Sequence, residues 1–229
     1  MALNKTLKKI IDTGTALPTS GTTGAPKHIF QTPQKLQAAN NVSRQVQDIT
    51  VNSRILTVCT LTHAGGLLAQ TLPAVEVGAD VDIQKFNPYS WVRQITDYTH
   101  SHLTPNMARA VIKTRGFNTV NLSGITVMCG SDRVNSGIIQ SFIDRGATFI
   151  ANWGMTEVGP VAINQTFNPG DTVNTTETIM GNSVHCDTKI VDGELYVKGD
   201  ICVYDDWFAT GDIVSEVNGM FYYMGRKNA

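Results

Sequence analysis

The sequence has little of what marks the more specialised classes of protein. Its 229 residues include four cysteines, Cys59, Cys129, Cys186 and Cys202, and no Cys-x-x-Cys pair. That removes the spacing used by structural zinc and dithiol redox sites. Cys59 and Cys129 end apolar, strand-like runs, where buried thiols are common, so all four are read as reduced core residues of a cytoplasmic protein. No window of 18 apolar residues occurs, so no membrane span is expected. The first eleven residues carry lysines but no apolar h-region, which argues against a secretory signal. Leu3, Leu7 and Ile10 instead fit one face of a short helix. A formal net charge of -1 gives no reason to expect nucleic acid or an anionic membrane as partner. No internal repeat stands out. The common P-loop string, Gly, four residues, then Gly-Lys-Ser/Thr, is also absent.

What is present is an alternation. A helix is expected over residues 31–49, capped by Thr32 with Pro33 in its first turn. Strands are expected at 54–59, 79–83, 100–103, 124–129 and 147–151, with helices at 65–77, from Asn87-Pro88, at 105–113 and at 136–145. Strands alternating with helices imply a parallel sheet covered on both faces. From about Pro160 the pattern changes to short strands, with Asp192-Gly193 and Asn218-Gly219 as hairpin turns and residues 166–181 as a polar loop. The expected fold is therefore α/β: a mainly parallel covered sheet with helices over residues 1–159, then a small antiparallel β-rich subdomain over residues 160–229. Ligands in such sheets sit at the carboxyl ends of the strands. The polar segments 60–66, 130–132 and 152–157 all fall there, which predicts one shared cleft.

The densest chemistry lies in Thr19-Ser20-Gly21-Thr22-Thr23-Gly24, four hydroxyls and two glycines in six residues, followed by Pro26-Lys27. Glycine lets backbone amides approach an anion, successive N–H groups form a concave nest, and Lys27 adds a point charge. The bland alternative is a flexible Ser/Thr/Gly linker, which has no need of a terminal Pro-Lys or of a helix just beyond it.

This loop resembles the phosphate-binding signature of the adenylate-forming superfamily, which includes acyl-CoA synthetases, peptide-synthetase adenylation domains and luciferases. His28 stands where that signature usually has a final Gly. Further segments resemble the family's motifs in the family's order. They are Asn152-Trp153-Gly154-Met155-Thr156-Glu157, Gly193-Glu194-Leu195, Thr210-Gly211-Asp212 and Gly225-Arg226. Softer matches are Leu61-Thr62-His63-Ala64-Gly65-Gly66 and Cys129-Gly130-Ser131-Asp132. Taken alone, 152–157 suits equally a capped helix start around a core Trp, and an Asp after Gly is more often a turn residue.

The resemblance implies ATP or AMP and Mg²⁺ as cofactors, with CoA as a further possibility. It assigns Thr19, Ser20, Gly21, Thr22, Thr23, Gly24 and Lys27 to the phosphates. Gly130, Ser131, Asp132, Trp153 and Gly154 go to the adenine side, Thr156 to the α-phosphate, Glu157 to Mg²⁺, Asp212 to the ribose, and Arg226 to the ribose or phosphate. Thr156, Glu157 and Lys27 are the expected catalytic residues, and His63, Gly66, Gly130 and Trp153 border the acyl pocket. Trp153 replaces a usual Tyr, keeping a flat ring but losing a phenol hydroxyl. His100-Ser101-His102 places two imidazoles on one strand face, but no third metal ligand is evident.

The implied reaction is adenylation of a small carboxylic acid, with acyl transfer to CoA or another thiol as a second step. The alternative is a non-catalytic module that binds AMP, ATP or acyl-adenylate. The resemblance covers the central part of such enzymes. It predicts weak catalysis without the C-terminal domain and its lysine, a separate C-terminal-domain partner, and a homodimer formed through exposed apolar surface.

Overall fold

The computed structural model describes residues 2–19 and 27–227. Helix α1 (Ala2–Thr13) leads into a two-stranded ribbon, β1 (Thr15–Pro18) and β2 (His28–Gln31). The ribbon is antiparallel, with Thr15 opposite Gln31 and Pro18 opposite His28. Helix α2 (Pro33–Gln47) starts where the sequence places it: Thr32 accepts from the Lys35 N–H, and Pro33 occupies the first turn, where its missing donor costs nothing. After β3 (Arg54–Thr57) come α3 (Ala64–Gly66), a π-helical turn over Leu67–Thr71, and α4 (Leu72–Val77), then β4 (Asp80–Ile83). Next follow α5 (Pro88–Gln94), β5 (His100–Leu103), α6 (Pro105–Ile112), β6 (Thr126–Cys129), α7 (Ser136–Ile143) and β7 (Thr148–Met155). Asn87, Thr104 and Asn135 each cap the helix that follows by accepting from its backbone.

The remaining strands are β8 (Gly159–Phe167), β9 (Thr178–Gly181), β10 (Ser183–Val184), β11 (Asp187–Val191), β12 (Glu194–Lys198), β13 (Phe208–Val217) and β14 (Met220–Arg226). They complete two larger sheets. One has seven strands in the order β10-β8-β7-β6-β5-β3-β4, and the other five in the order β11-β12-β13-β14-β9. In the first, β4, β3, β5, β6 and β7 run parallel, while β8 and β10 add antiparallel. The change of pattern near Pro160 is thus a change of strand direction inside one sheet. The five-stranded sheet is antiparallel throughout, and its first strand in the chain is β9. Both expected hairpin turns are there, with Asp192-Gly193 and Asn218-Gly219 at positive φ in both positions of each pair, the geometry that matches strand twist.

Side-chain alternation explains the layers. Leu56, Val127, Cys129, Phe149 and Ala151 point to one face and pack with Trp91, Val111, Ile138 and Phe142 of α5, α6 and α7 and with Ile95 just beyond α5. Their neighbours Ile55, Met128 and Ile150 point to the other face and meet Ile49, Ala69 and Ala74. A parallel sheet buried on both faces needs apolar residues at both parities, which is why these strands read as near-continuous apolar runs. A third cluster joins the five-stranded sheet to β8 through Ala162, Ile163, Leu195, Val197, Val214 and Phe221.

Candidate active site

A cleft of about 550 Å³ opens at the carboxyl ends of the parallel strands, where the two larger sheets meet. Its volume falls in the range of small-molecule and cofactor sites. Strand β7 runs beyond the sheet edge, and its register against β8 slips between Trp153 and Met155. A side chain at Gly154 would collide with the backbone of Gly159 and Pro160, so this bulge requires glycine. Past the bulge, Thr156 and Glu157 sit at a hairpin tip that lines the cleft. The segment is therefore a turn between antiparallel strands, and the helix start that its residues also suited does not form. Three bonds outside the turn's own side chains hold the tip. Val158 N–H donates to the Met155 carbonyl, Val203 N–H donates to the Glu157 carbonyl at 2.9 Å, and Gln31 Nε2 donates to the Thr156 carbonyl at 2.5 Å. The Glu157 carboxylate, half-buried, makes no hydrogen bond or ion pair among the described residues. It is a hard-oxygen donor left available, which fits a Mg²⁺ ligand.

From the five-stranded sheet, Asp212 enters the same cleft, 4% exposed. Its Oδ2 accepts from Trp153 Nε1 at 2.9 Å and its Oδ1 pairs with Arg226 at 2.7 Å. A carboxylate has about four acceptor positions, so both oxygens keep capacity for further donors. Burial opposes the Arg226 charge, but the hydrogen bond and attraction from Asp212 outweigh it and hold its pKa above the ordinary value. Glu194, in the Gly-Glu-Leu strand, fixes this corner from behind. Its Oε1 accepts from Gly211 N–H and its Oε2 pairs with Lys227 at 2.7 Å. The Lys227 contact leads the causes that hold the Glu194 carboxyl below its usual range.

The opposite wall comes from the ends of β3, β5 and β6. His63, Gly66, Ser131 and Asp132 line it, His63 at the exposed rim. Ser131 adopts a left-handed backbone, φ 75. Cys59 also lines this wall. Burial raises its thiol to about 11, against a smaller opposing hydrogen bond from the Thr104 backbone, so it is a poor nucleophile. His102 lies at the floor, and burial lowers its pKa to about 4. His100, on the same face, turns away to Thr99 Oγ1 and the Gln47 carbonyl.

Of the residues picked out by sequence, Thr19, His63, Gly66, Ser131, Asp132, Trp153, Gly154, Thr156, Glu157, Asp212 and Arg226 meet in this cleft. Gly130 and Lys27 are outside its lining. A side chain at Gly130 would strike the backbone and amide of Asn152, so the close approach of these two segments requires glycine there. Lys27 is exposed, and its carbonyl accepts from Thr19 N–H at 2.8 Å. Ser20, Gly21, Thr22, Thr23 and Gly24 lie outside the described residues. Sequence reading missed Gln31, Arg133 and Tyr223. Gln31 is 1% exposed; a polar residue on the buried parity of a four-residue strand was the available signal. Arg133 lies over the Tyr223 ring, 4.9 Å from its centre, and both line the cleft.

Residues 12–211 match the family model described as AMP-binding enzyme. The chain is 28% identical over 241 residues to an indoleacetate–CoA ligase of Aromatoleum aromaticum, an alignment covering 91% of this chain and 46% of that protein. It is 26% identical to a medium/long-chain-fatty-acid–CoA ligase, FadD8, of Mycobacterium tuberculosis, covering 90% of this chain and 41% of that protein. Among solved structures, the O-succinylbenzoate coenzyme A synthetase (MenE) of Bacillus subtilis, in complex with AMP, superposes with a TM-score of 0.79 at 22% identity. That match covers 95% of this chain and 50% of MenE. The chain thus spans about half the length of the relatives it matches.

Proposed function

Because the chain belongs to the AMP-binding enzyme family, we propose that it takes part in ATP-dependent adenylation of a small carboxylic acid. In this reading the acid's carboxylate attacks the α-phosphorus of ATP, and an acyl-adenylate and pyrophosphate form. Catalysis rests on positioning and electrostatics, since the protein supplies no covalent chemistry of its own. Trp153 offers its ring face to adenine, and Asp212 accepts from the ribose hydroxyls while paired with Arg226. Thr156 donates to the α-phosphate. Glu157 would hold Mg²⁺, which neutralises phosphate charge when bound. Thr19 and Lys27 flank the hydroxyl-rich segment 20–24 proposed for the outer phosphates. A CoA ligase name on two relatives supports a thiol acceptor in the second step.

The observation that carries this reading is the meeting of two sheets at one point. Trp153 and Glu157, from one sheet, share the cleft with Asp212 and Arg226 from the other, and Trp153 bonds Asp212 directly. Acid-dependent ATP–pyrophosphate exchange tests the reading. Exchange that falls about 10²–10³-fold in Glu157→Ala, the effect of losing one electrostatic stabiliser, is the expected result. Adenylate binding with no exchange for any acid would mark a non-catalytic module instead.

A further inference from the structure

Trp153, Thr156, Glu157, Asp212 and Arg226, the groups proposed for nucleotide and metal, occupy one half of the cleft, on β7, the hairpin tip after it, β13 and β14. The other half lies toward β3 and β5. Its lining is mostly small or apolar: Cys59, Ala64, Gly65, Met107 and Val134. Two threonines there are already engaged. Thr60 bonds Thr62, and Thr104 caps α6 through Met107 N–H. His102 is different. It is 3% exposed, it lines the cleft, and neither ring nitrogen makes a well-formed hydrogen bond among the described residues, the nearby Gly65 backbone offsetting only a minor part of the cost of burial.

Buried polar groups are rarely left unpaired, because an unmade bond costs the full desolvation of the group. The local architecture keeps this one reachable. At Gly65 an added side-chain carbon would lie 2.7 Å from Ser131 Oγ and 3.2 Å from His102 Cε1. Only glycine leaves the imidazole edge and the serine hydroxyl clear of the wall between them. Ser131 reaches this point through its left-handed backbone, and its hydroxyl has no partner among the described residues.

We propose that His102 is a specificity-determining residue, selecting acids whose tail carries an uncharged hydrogen-bonding group, such as a ring hydroxyl, keto oxygen or ring N–H, over acids with plain hydrocarbon tails. This rests on the adenylation reading above. A neutral imidazole presents one donor and one acceptor, so it satisfies either type of substituent, whereas a charged tail would lose its hydration beside this buried neutral ring, the charged residues of the wall, Asp132 and Arg133, being exposed. A pocket that hydrogen-bonds its ligand rejects the analogue lacking that group far more strongly than an apolar pocket rejects an added methylene.

The test uses the purified protein and acyl-sulfamoyl adenosines in matched pairs, ring-hydroxylated against ring-methylated at the meta and para positions. Binding is measured by calorimetry. The hydroxylated member of at least one pair should bind about tenfold tighter or better. His102→Leu should erase that difference, and His102→Gln should restore part of it. Equal affinity within every pair overturns the proposal, as does a preference that persists unchanged in His102→Leu. The wild-type comparison stands even if His102→Leu fails to fold. A polar preference in binding without acid-dependent exchange would leave this inference standing and remove the catalytic reading. Failure of every analogue to bind would remove both.

Discussion

Asp212 takes two donors where the two sheets meet, Trp153 N–H from across the seam and the Arg226 guanidinium from its own sheet, one on each oxygen. Asp212→Asn keeps the shape but has one oxygen and one NH₂, so one of those donors must face another donor. We expect a stability loss of about 1–3 kcal/mol and weaker AMP binding, read by thermal melting and calorimetry. Acid tests a second residue. His102 is held neutral by burial, with a pKa of about 4, and burial also lowers His100 and His185. The unfolded chain binds these protons from about pH 6.5 downward while the folded protein does not. Stability is therefore fully present above that pH and falls as pH drops toward 4, with His102 contributing on the order of 3 kcal/mol. Denaturant melts at pH 7, 6, 5 and 4 check this, and His102→Gln should flatten the slope. Individual roles of this kind were only partly legible. Asp212 and Glu157 announce themselves by motif. His102 looks the same in sequence as His100, and only the fold separates an imidazole bonded to a helix carbonyl from one facing a cleft.

Elements were read well where local chemistry dictates them. Thr32-Pro33, Asn87-Pro88 and Thr104-Pro105 each place a cap and a first-turn proline, and each starts a helix in the structure. The expected helix over 65–77 hides a feature with no local signature, the π-turn at Leu67–Thr71. Pro73 cannot donate to the carbonyl four residues back, and that carbonyl, on Ala69, accepts from Gln47 Nε2 at 2.7 Å instead. Thr71 Oγ1 donates to the Gly66 carbonyl within the same turn. The partner that makes the π-turn tolerable is thus 22 residues away, on α2, and no window-based reading finds it. Gln47→Leu should leave the Ala69 carbonyl and the Gln70 amide unpaired in the interior. The expected cost is about 2–5 kcal/mol for these two groups, measured by urea unfolding, with no change in the slope against urea.

At the scale of the whole molecule, the parallel sheet was legible from its apolar runs, whereas the way the sheets exchange strands was not. Strands β9 and β10 are separated by one residue yet belong to different sheets. Four-residue and two-residue strands carry too little periodicity to reveal that. The five-stranded sheet keeps its cleft-facing corner through Glu194, which is covered by its neighbours although near the surface. Its carboxyl is held below the usual range, chiefly by Lys227. That contribution is present above the ordinary carboxylate pKa and is lost as pH falls through the lower folded value. Glu194→Gln should therefore lower stability at neutral pH and reduce the part of the acid slope below about pH 4.5, on the same pH series of melts. Nucleotide affinity should fall with it, since Gly211 N–H is held by Glu194 next to Asp212.

The ribbon of β1 and β2 counts odd and even positions. Ile29 and Gln31 lie inward, while His28 and Phe30 lie outward. An extra residue in the stretch 20–26 leaves that count untouched, because Thr19 and Lys27 remain joined across the neck. An extra residue two places later would turn Phe30 inward and Gln31 out to water, releasing the Thr156 carbonyl. Tolerance to length must therefore change abruptly within a dozen residues: lenient between Thr19 and Lys27, strict where the ribbon props the tip that carries Thr156.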